Sequence, residues 1–250
     1  MNKVILITGG SRGIGAATVR LAVQQGYAIC FSYHSQRQTA EALVQELQGL
    51  NQDAQIIAVQ ADLSQETAIC QLFAACDQAF GRLDALVNNA GILEQQMRVQ
   101  AMDASRLQRI FSTNVIGSFI CAREAIQRMS TELGGQGGAI VNVSSVAARL
   151  GAPFEYVDYA ASKGAIDSFT IGLAKEVANV GIRVNAVRPG IIHTEIHASG
   201  GEPNRVERVK ASIPMQRGGY PEEVASAILW LISEQSSYTS GAILDVAGGR

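Results

Sequence analysis

The sequence predicts an α/β fold, a doubly wound parallel sheet of seven strands with helices on both faces. Short runs rich in β-branched residues alternate with longer amphipathic segments along all 250 residues, which is the pattern of repeated βα units. A glycine-rich turn follows the first of these runs directly. The composition shows no break along the chain, so we expect one domain over 1–250.

Each predicted strand is a short apolar run bounded by polar or turn residues. The predicted strands cover 4–8, 28–33, 55–60, 85–88, 139–144, 183–187 and 242–246. Helices are predicted over 13–25, 36–50, 65–80, 104–131, 155–180 and 221–233. The first six strands form two βαβαβ halves, the Rossmann arrangement, and this places a ligand site over the carboxyl ends of the strands.

The segment 191–213 departs from this βα rhythm. It holds the run Gly200-Gly201-Glu202-Pro203 and then a short charged helical stretch. Because it follows a strand that ends at the predicted site, we interpret it as a lid over the substrate. A plain solvated connection is the alternative that the sequence leaves open.

Charge and composition argue against several functional classes. The formal net charge is −2 with acids and bases interspersed, so we expect no nucleic-acid partner. The start of the chain is too briefly apolar for a signal peptide, and no run approaches membrane-spanning length, which predicts a soluble cytoplasmic protein. The cysteines lack C-x-x-C spacing, and His193 and His197 do not fit H-E-x-x-H, so we expect no bound metal.

A glycine-rich turn connects the first strand to the first helix. It reads Thr8-Gly9-Gly10-Ser11-Arg12-Gly13-Ile14-Gly15. Glycine is required where the chain turns tightly or a phosphate approaches the backbone, and free N–H groups at a helix start attract anions. The turn therefore predicts a dinucleotide site, although its spacing departs from G-x-G-x-x-G. The alternative is a helix start that is glycine-rich without any ligand.

Tyr159 and Lys163 lie four residues apart in a predicted helix, which brings their side chains together one turn apart. A phenol has a pKa of about 10, and a neighbouring ammonium favours the phenolate and lowers that pKa. Such a pair can act as a general acid or base on an alcohol or carbonyl. The spacing alone also fits a surface tyrosine beside a solvated lysine. The upstream glycine-rich turn, the run Asn88-Asn89-Ala90-Gly91, Asn114 and the pair Ser144-Ser145 favour catalysis.

These motifs together resemble those of the short-chain dehydrogenase/reductase family, and the resemblance extends over the whole chain. The family's T-G-x-x-x-G-x-G loop matches Thr8 to Gly15, its N-N-A-G matches Asn88 to Gly91, and its Y-x-x-x-K matches Tyr159 to Lys163. The resemblance implies an oxidoreductase that transfers hydride between a nicotinamide and a carbinol or carbonyl carbon. The most similar types are glucose 1-dehydrogenase-like and 3-oxoacyl-carrier-protein reductase-like members.

The resemblance also implies roles for individual residues. Tyr159 is expected to be the general acid/base, and Lys163 to favour its phenolate and hold the nicotinamide ribose. Ser145, rather than Ser144, is expected to bind the substrate oxygen, and Asn114 to position a water. The cofactor-binding residues are expected to be Gly9, Ser11, Arg12, Gly13, Ile14, Gly15, Tyr33, His34, Ser35, Asp62, Leu63, Asn89, Ala90, Gly91, Tyr159, Lys163, Pro189, Gly190, Ile192 and Thr194.

The stretch after the second strand bears on which nicotinamide cofactor is used. NAD-binding domains place an acidic residue there on the ribose 2′-hydroxyl, whereas this chain has Tyr33-His34-Ser35. No carboxylate in that stretch would repel a 2′-phosphate, and Arg12 offers a guanidinium that suits one. The sequence therefore predicts NADP(H), with NAD(H) possible.

The predicted substrate class rests on polar residues near the site. The residues expected to line the pocket are Arg149, Glu155, Tyr156, His193, Glu195 and His197. Their polarity favours a polar substrate over a bare hydrocarbon. Together with the resemblance this gives a sugar or polyol as the expected substrate, with a 3-oxoacyl thioester as the alternative. A non-catalytic NADP-sensing protein is the rival function, and the intact Ser145, Tyr159 and Lys163 argue against it.

The family resemblance further implies a homotetramer in which the two long helices form one interface. The small residues on the Tyr159 helix would allow close helix packing, and they are Ala161, Gly164, Ala165 and Gly172. The alternative is that these residues only fit the helix against its own sheet.

Overall fold

Residues 2–250, described by a computed structural model, contain one parallel sheet of seven strands. The strands are Val4–Ile7 (β1), Ala28–Tyr33 (β2), Ile56–Gln60 (β3), Ala85–Asn88 (β4), Gly138–Val143 (β5), Ile182–Pro189 (β6) and Ile243–Val246 (β7). Their order across the sheet is β3-β2-β1-β4-β5-β6-β7. The predicted fold class is confirmed, and each predicted strand is found with ends that differ by at most two residues.

The strand order reverses its direction between β1 and β4. The chain runs outward from β1 to β3, and then returns to pair β4 with the other side of β1. In a doubly wound sheet this reversal opens a crevice beyond the carboxyl ends of the two central strands. The crevice lies next to the glycine-rich turn, which follows β1.

Helices cover both faces of the sheet, so the central strands are apolar on both sides. The α-helices are Gly13–Gln24 (α1), Arg37–Leu50 (α2), Glu66–Phe80 (α3), Ala104–Phe111 (α4), Gly117–Met129 (α5), Ala147–Leu150 (α6), Val157–Glu176 (α7), Ile196–Ser199 (α8), Arg205–Val209 (α9) and Pro221–Ile232 (α10). In β1, Ile5 and Ile7 join the core on the side of α1 and α10, whereas Val4 and Leu6 join the core on the side of α3 and α5. In residues 2–250 no helix is long and apolar enough to cross a bilayer.

One helix differs from its prediction. The single helix expected over 104–131 is instead α4 and α5, joined by a π-helical turn at Ser112–Ile116. The side chain of Asn114, inside this turn, bonds the backbone of Ile92. Gly117 packs against the carbonyl of Leu63, where an added Cβ would lie 2.4 Å from the oxygen. These tertiary contacts favour the wider turn, which local sequence does not reveal.

Candidate active site

A cleft of about 1100 Å³ lies over the carboxyl ends of the strands. It is lined by the residues that follow β1 to β6 and by part of the segment 191–213. All of the predicted site residues line this cleft except Gly15 and Asn114. The motifs that were separate in the sequence thus meet at one place.

The glycine-rich turn after β1 is held by neighbouring strands. Gly9 has a φ of +65°, and a Cβ there would meet the Cα of Ala90 at 3.0 Å. The Gly9 N–H donates to Ser32 Oγ over 3.0 Å. Asn89 Nδ2 donates to the carbonyls of Thr8 and Gly9 over 2.9 and 3.0 Å. The turn is therefore fixed by side chains of β2 and of the segment after β4.

The start of α1 suits a phosphate group. Arg12 directly precedes α1. No side chain caps the free N–H groups of α1, and no acidic residue lies in the first turn of this helix. Such an N-terminus presents free donors and the positive end of the helix dipole to an anion. Arg12 is exposed and forms no ion pair with the residues that the structure describes. The turn and its flanking guanidinium therefore fit the pyrophosphate of a dinucleotide.

Gly15 supports this turn from beneath instead of lining the cleft. A Cβ at Gly15 would lie 2.2 Å from the carbonyl oxygen of Gly9 and 2.6 Å from Asn89 Nδ2. Gly15 was predicted to contact the cofactor. In the structure it lies outside the cleft, and its lack of a side chain allows the turn to form.

The two serines that end the fifth strand have different surroundings. Ser144 is buried, and its hydroxyl donates to the carbonyl of Lys163 over 3.2 Å. Ser145 is partly exposed in the cleft, and its Oγ accepts from the Ala147 N–H over 3.1 Å. The Ser145 hydroxyl also interacts with the Tyr159 phenol and opposes the rise of the phenol pKa. Ser145 is therefore the serine that a substrate oxygen can reach.

Burial shifts the pKa of both members of the Tyr-Lys pair. Burial raises the pKa of Tyr159 to about 12, although the Ser145 hydroxyl opposes the shift. Burial also lowers the pKa of Lys163 to about 8, although the Asp167 carboxylate opposes this shift. Lys163 Nζ donates to the carbonyl of Val143 over 2.8 Å and lies 5.6 Å from the centre of the Tyr159 ring. The pKa of Tyr159 is thus raised overall, whereas the Lys163 ammonium alone would lower it.

The lowered pKa of Lys163 predicts a rise of stability with pH. Between about 8 and 10.5 the unfolded chain still binds a proton on this lysine that the folded protein has released, so unfolding becomes less favourable as the pH rises. The effect reaches up to about 3 kcal/mol. Urea unfolding at pH 7.5 and pH 10 should show a larger rise in the wild type than in Lys163→Met. Equal rises in the two proteins would contradict the assignment.

Asn114 lies behind the cleft, almost fully buried in the π-helical turn. Its Oδ1 accepts from the Ile92 N–H over 2.8 Å, and its Nδ2 donates to the Ile92 carbonyl over 3.0 Å and to Ser162 Oγ over 3.1 Å. The backbone carbonyl of Asn114 accepts from Ser118 Oγ over 3.1 Å. The side chain therefore joins the segment after β4 to α7, and its role toward a water stays a prediction.

A buried ion pair near the site was not predicted. Arg106 of α4 donates through Nε to Asp158 Oδ2 over 2.7 Å, and both side chains are almost completely buried. Asp158 Oδ1 accepts from the backbone N–H of Tyr159 over 2.9 Å. Arg106 Nη1 also donates to the carbonyl of Gln95 over 2.8 Å. The pair anchors the first turn of α7, and no local sequence signal links residues so far apart along the chain.

The polar residues predicted for the pocket divide into two groups. Glu155, Tyr156, Glu195 and His197 line the cleft. Arg149 and His193 do not: Arg149 Nη2 lies 3.1 Å from Asp245 Oδ2, and the His193 ring stacks on Tyr220 with 5.2 Å between ring centres. The expectation that Arg149 and His193 line the pocket is therefore wrong, because each has a partner elsewhere.

The wall expected to hold the adenosine ribose contains one carboxylate. Tyr33, His34 and Ser35 line it together with Asp62 and Leu63. His34 Nε2 lies 3.9 Å from Asp62 Oδ2. Arg12 has no carboxylate partner among residues 2–250, so its guanidinium is the permanent positive charge that this wall can offer to a phosphate.

The segment 191–213 forms part of the cleft wall. It contains α8, α9 and a short 3₁₀ turn. The members that line the cleft are Ile191, Ile192, Thr194, Glu195, Ile196, His197 and Arg205.

Comparisons of sequence match the chain to known oxidoreductases. A family model described as enoyl-(acyl carrier protein) reductase matches residues 9–250. The chain is 56% identical over 247 residues to the uncharacterized oxidoreductase YgfF of Escherichia coli (strain K12), covering 99% of both proteins. It is 35% identical to glucose 1-dehydrogenase 2 of Bacillus subtilis (strain 168), covering 99% of this chain and 94% of the relative.

Solved structures match the whole fold. A 3-ketoacyl-(acyl-carrier-protein) reductase from Brucella melitensis, complexed with NADH, has a TM-score of 0.91 and 32% identity, covering 99% of this chain and 98% of that one. A blue fluorescent protein from a metagenomic library, in complex with NADPH, has a TM-score of 0.89 and 33% identity, with 99% and 97% coverage. The chain thus belongs to the short-chain dehydrogenase/reductase family, whose members are oxidoreductases of hydroxyl and carbonyl groups.

Proposed function

We propose that the chain is an NADP(H)-dependent oxidoreductase that interconverts a secondary alcohol and a carbonyl compound, with Tyr159 as general acid/base. The observation that carries the proposal is that Ser145, Tyr159 and Lys163 line one cleft together with the glycine-rich turn. A non-catalytic NADP-sensing protein could use Lys163 to hold the ribose, but it would not need the Ser145 hydroxyl beside the Tyr159 phenol.

A bound nicotinamide supplies or accepts the hydride, and the side chains of this chain act on the substrate oxygen and its proton. The Ser145 hydroxyl donates to the oxygen and stabilises the negative charge that develops there. The Tyr159 phenol gives its proton to the oxygen during reduction and takes it back during oxidation. Because the pKa of Tyr159 is raised to about 12, the phenol is protonated at neutral pH, which is the form that reduction requires.

The glycine-rich turn, the run Asn89-Ala90-Gly91 and the segment from Pro189 to Thr194 would hold the dinucleotide. The two solved relatives were complexed with NADH and NADPH respectively, so the choice rests on this chain's own residues. Arg12 supports NADP(H), because it is exposed beside the cleft and Tyr33-His34-Ser35 brings no carboxylate. Asp62, next to His34, works in the opposite direction.

Arg12→Ala is expected to lower the affinity for NADP(H) by about 10- to 100-fold and to leave that for NAD(H) nearly unchanged. A charge-assisted bond to the 2′-phosphate contributes roughly 1.5–3 kcal/mol, and NAD(H) lacks that phosphate. Fluorescence titration of both cofactors measures the effect. Arg37→Ala is the matched control, because Arg37 is exposed at the start of α2 and pairs with Glu41. Equal affinities of the wild type for both cofactors would contradict the proposal.

The names of the relatives support two substrate classes. Glucose 1-dehydrogenase 2 supports the sugar or polyol favoured by the sequence, and the 3-ketoacyl-(acyl-carrier-protein) reductase supports a 3-oxoacyl thioester. A panel of sugars, polyols, secondary alcohols, diketones and acetoacetyl thioesters, followed at the nicotinamide absorbance with both cofactors, tests the activity. If no compound of the panel is turned over with either cofactor, the proposed function is contradicted.

We also propose that the segment 191–213 closes over the substrate, since seven of its residues line the cleft. Its two short helices, α8 and α9, would move with it.

We propose a homotetramer that uses the outer faces of α5 and α7. A Cβ added at Gly164 or Gly172 would meet nothing within 4 Å, so these glycines do not serve packing against the sheet. Phe119 is 47% exposed and stacks on Phe169 at 3.7 Å between ring centres, which leaves an apolar face. Light scattering should give a tetramer mass at micromolar concentration, and a monomer mass would contradict the proposal.

A further inference from the structure

We infer that the substrate is a carbonyl compound or alcohol with an apolar body, in place of the sugar or polyol that the sequence favours. The inference rests on the proposed function. It concerns the part of the cleft wall beyond Ser145 and Tyr159, formed by Leu93, by the residues between β5 and α7, and by α8 and α9. This part of the wall is called the substrate wall below.

The substrate wall is largely apolar. Its apolar side chains are Leu93, Val146, Leu150, Pro153 and Ile196. Leu150 is 45% exposed, so a ligand in the cleft can cover a large apolar surface there. Apolar walls of this kind favour a ligand whose body carries few polar groups.

Tyr156 is polar, but its hydroxyl already has a partner. The residue is 3% exposed, and its hydroxyl donates to the carbonyl of Gly200 over 2.9 Å. The Arg205 guanidinium lies over the Tyr156 ring, 5.1 Å from its centre. The phenol therefore joins the segment before α7 to the end of α8, and its hydroxyl proton is already used in that bond.

The charged residues of the substrate wall are paired with one another. Glu155 forms ion pairs with Arg205 and with Arg208, the latter at 3.2 Å. Glu202 forms ion pairs with the same two arginines, at 2.9 Å for Arg205. Two carboxylates and two guanidiniums leave no net charge, and the Arg205 side chain is only 12% exposed. These groups satisfy each other and offer little to the hydroxyls of a sugar.

His197 of the substrate wall has neither ring nitrogen available to a ligand. It is 8% exposed, and its Nε2 lies 2.8 Å from the carbonyl oxygen of Ile192. A carbonyl only accepts, so Nε2 carries the proton and Nδ1 of the neutral ring is an acceptor. Burial, with the nearby Arg205, lowers the pKa of His197 and keeps the ring neutral. Among residues 2–250, Nδ1 has no hydrogen-bond partner, and because it is buried it offers no acceptor to a ligand in the cleft.

The substrate wall therefore offers few polar partners to a substrate. Ser145 and Tyr159 serve the reacting oxygen, while the polar groups of Glu155, Tyr156 and Arg205 are already paired. Every hydroxyl that is buried without a partner lowers affinity by about tenfold. A hexose brings several such hydroxyls, whereas a simple ring ketone brings none.

Matched ring compounds test the inference. We would measure kcat/KM for cyclohexanone and 2-decalone in reduction, and for cyclohexanol, D-glucose and sorbitol in oxidation, with both cofactors. Cyclohexanol should exceed glucose and sorbitol by at least about 100-fold, since two or more hydroxyls stay unpaired. Calorimetric titration should show 2-decalone binding and no binding of sorbitol, independently of turnover.

The outcomes separate the inference from the function on which it rests. Glucose or sorbitol turned over as well as cyclohexanol would overturn the inference and leave the proposed oxidoreductase standing. The lack of turnover with every compound would contradict the proposed function itself, and the inference would fall with it.

Discussion

Tyr159→Phe is expected to lower turnover by at least about 100-fold while the fold and the cofactor affinity are kept. Phenylalanine preserves the ring beside Lys163 and removes only the hydroxyl that carries the proton. General acid–base assistance is typically worth about 10²–10⁴ in rate. Steady-state turnover, fluorescence titration of the cofactor and circular dichroism together measure the loss.

Tyr156→Phe is the control for this experiment. It deletes the same atom three residues earlier, from a hydroxyl that donates to the Gly200 carbonyl. It should lower the melting temperature by removing a buried hydrogen bond of about 1 kcal/mol, and it should lose far less turnover. A Tyr159→Phe protein with nearly wild-type turnover would exclude Tyr159 as the acid/base.

Gly15→Ala is expected to weaken NAD(H) and NADP(H) binding alike, by about 100-fold, which corresponds to about 3 kcal/mol. The added Cβ would lie 2.2 Å from the Gly9 carbonyl oxygen and 3.0 Å from the Gly10 Cα. Backbone atoms cannot move aside as a flexible side chain can, so the turn that faces the phosphates must shift. Titration of both cofactors separates this loss from that of Arg12→Ala, which is confined to NADP(H).

Gly49→Ala provides the matched control for Gly15→Ala. Gly49 lies within α2, and an added Cβ there would meet nothing within 4 Å. Alanine in an exposed helix should raise stability by about 0.5–1 kcal/mol and leave cofactor binding unchanged. Wild-type affinity in Gly15→Ala would show that the turn tolerates a side chain at this position.

The strands and most of the residues that line the cleft could be predicted from the sequence alone. A parallel sheet covered on both faces needs apolar runs such as Val4–Ile7, and these runs are separated by amphipathic helices of a different period. The residues of the cleft follow the ends of those strands, so local motifs located them. Arg12 and Ser145 were predicted in this way, and both line the cleft.

The features that could not be predicted depend on contacts between distant segments. The π-helical turn contains neither glycine nor proline, and Asn114 within it bonds Ile92 and Ser162. The upward pKa shift of Tyr159 comes from burial, which a helical spacing does not reveal. The polarity of the pocket was overestimated because Glu155 meets Arg205, fifty positions away. The sequence identifies polar residues near the pocket, but it does not show which of them pair with one another.

The π-helical turn keeps the buried residues before and after it on one face of the helix. Buried residues recur at Arg106, Ile110, Asn114 and Ser118, at a spacing of four, whereas a regular α-helix repeats every 3.6 residues and would rotate the last of them away from the first by about 120°. The extra residue held in the wider turn cancels most of that rotation. Removing one residue between Ser112 and Ile116 would therefore leave Cys121 and Ala125 in the core, but it would remove the wider turn from which Asn114 bonds Ile92.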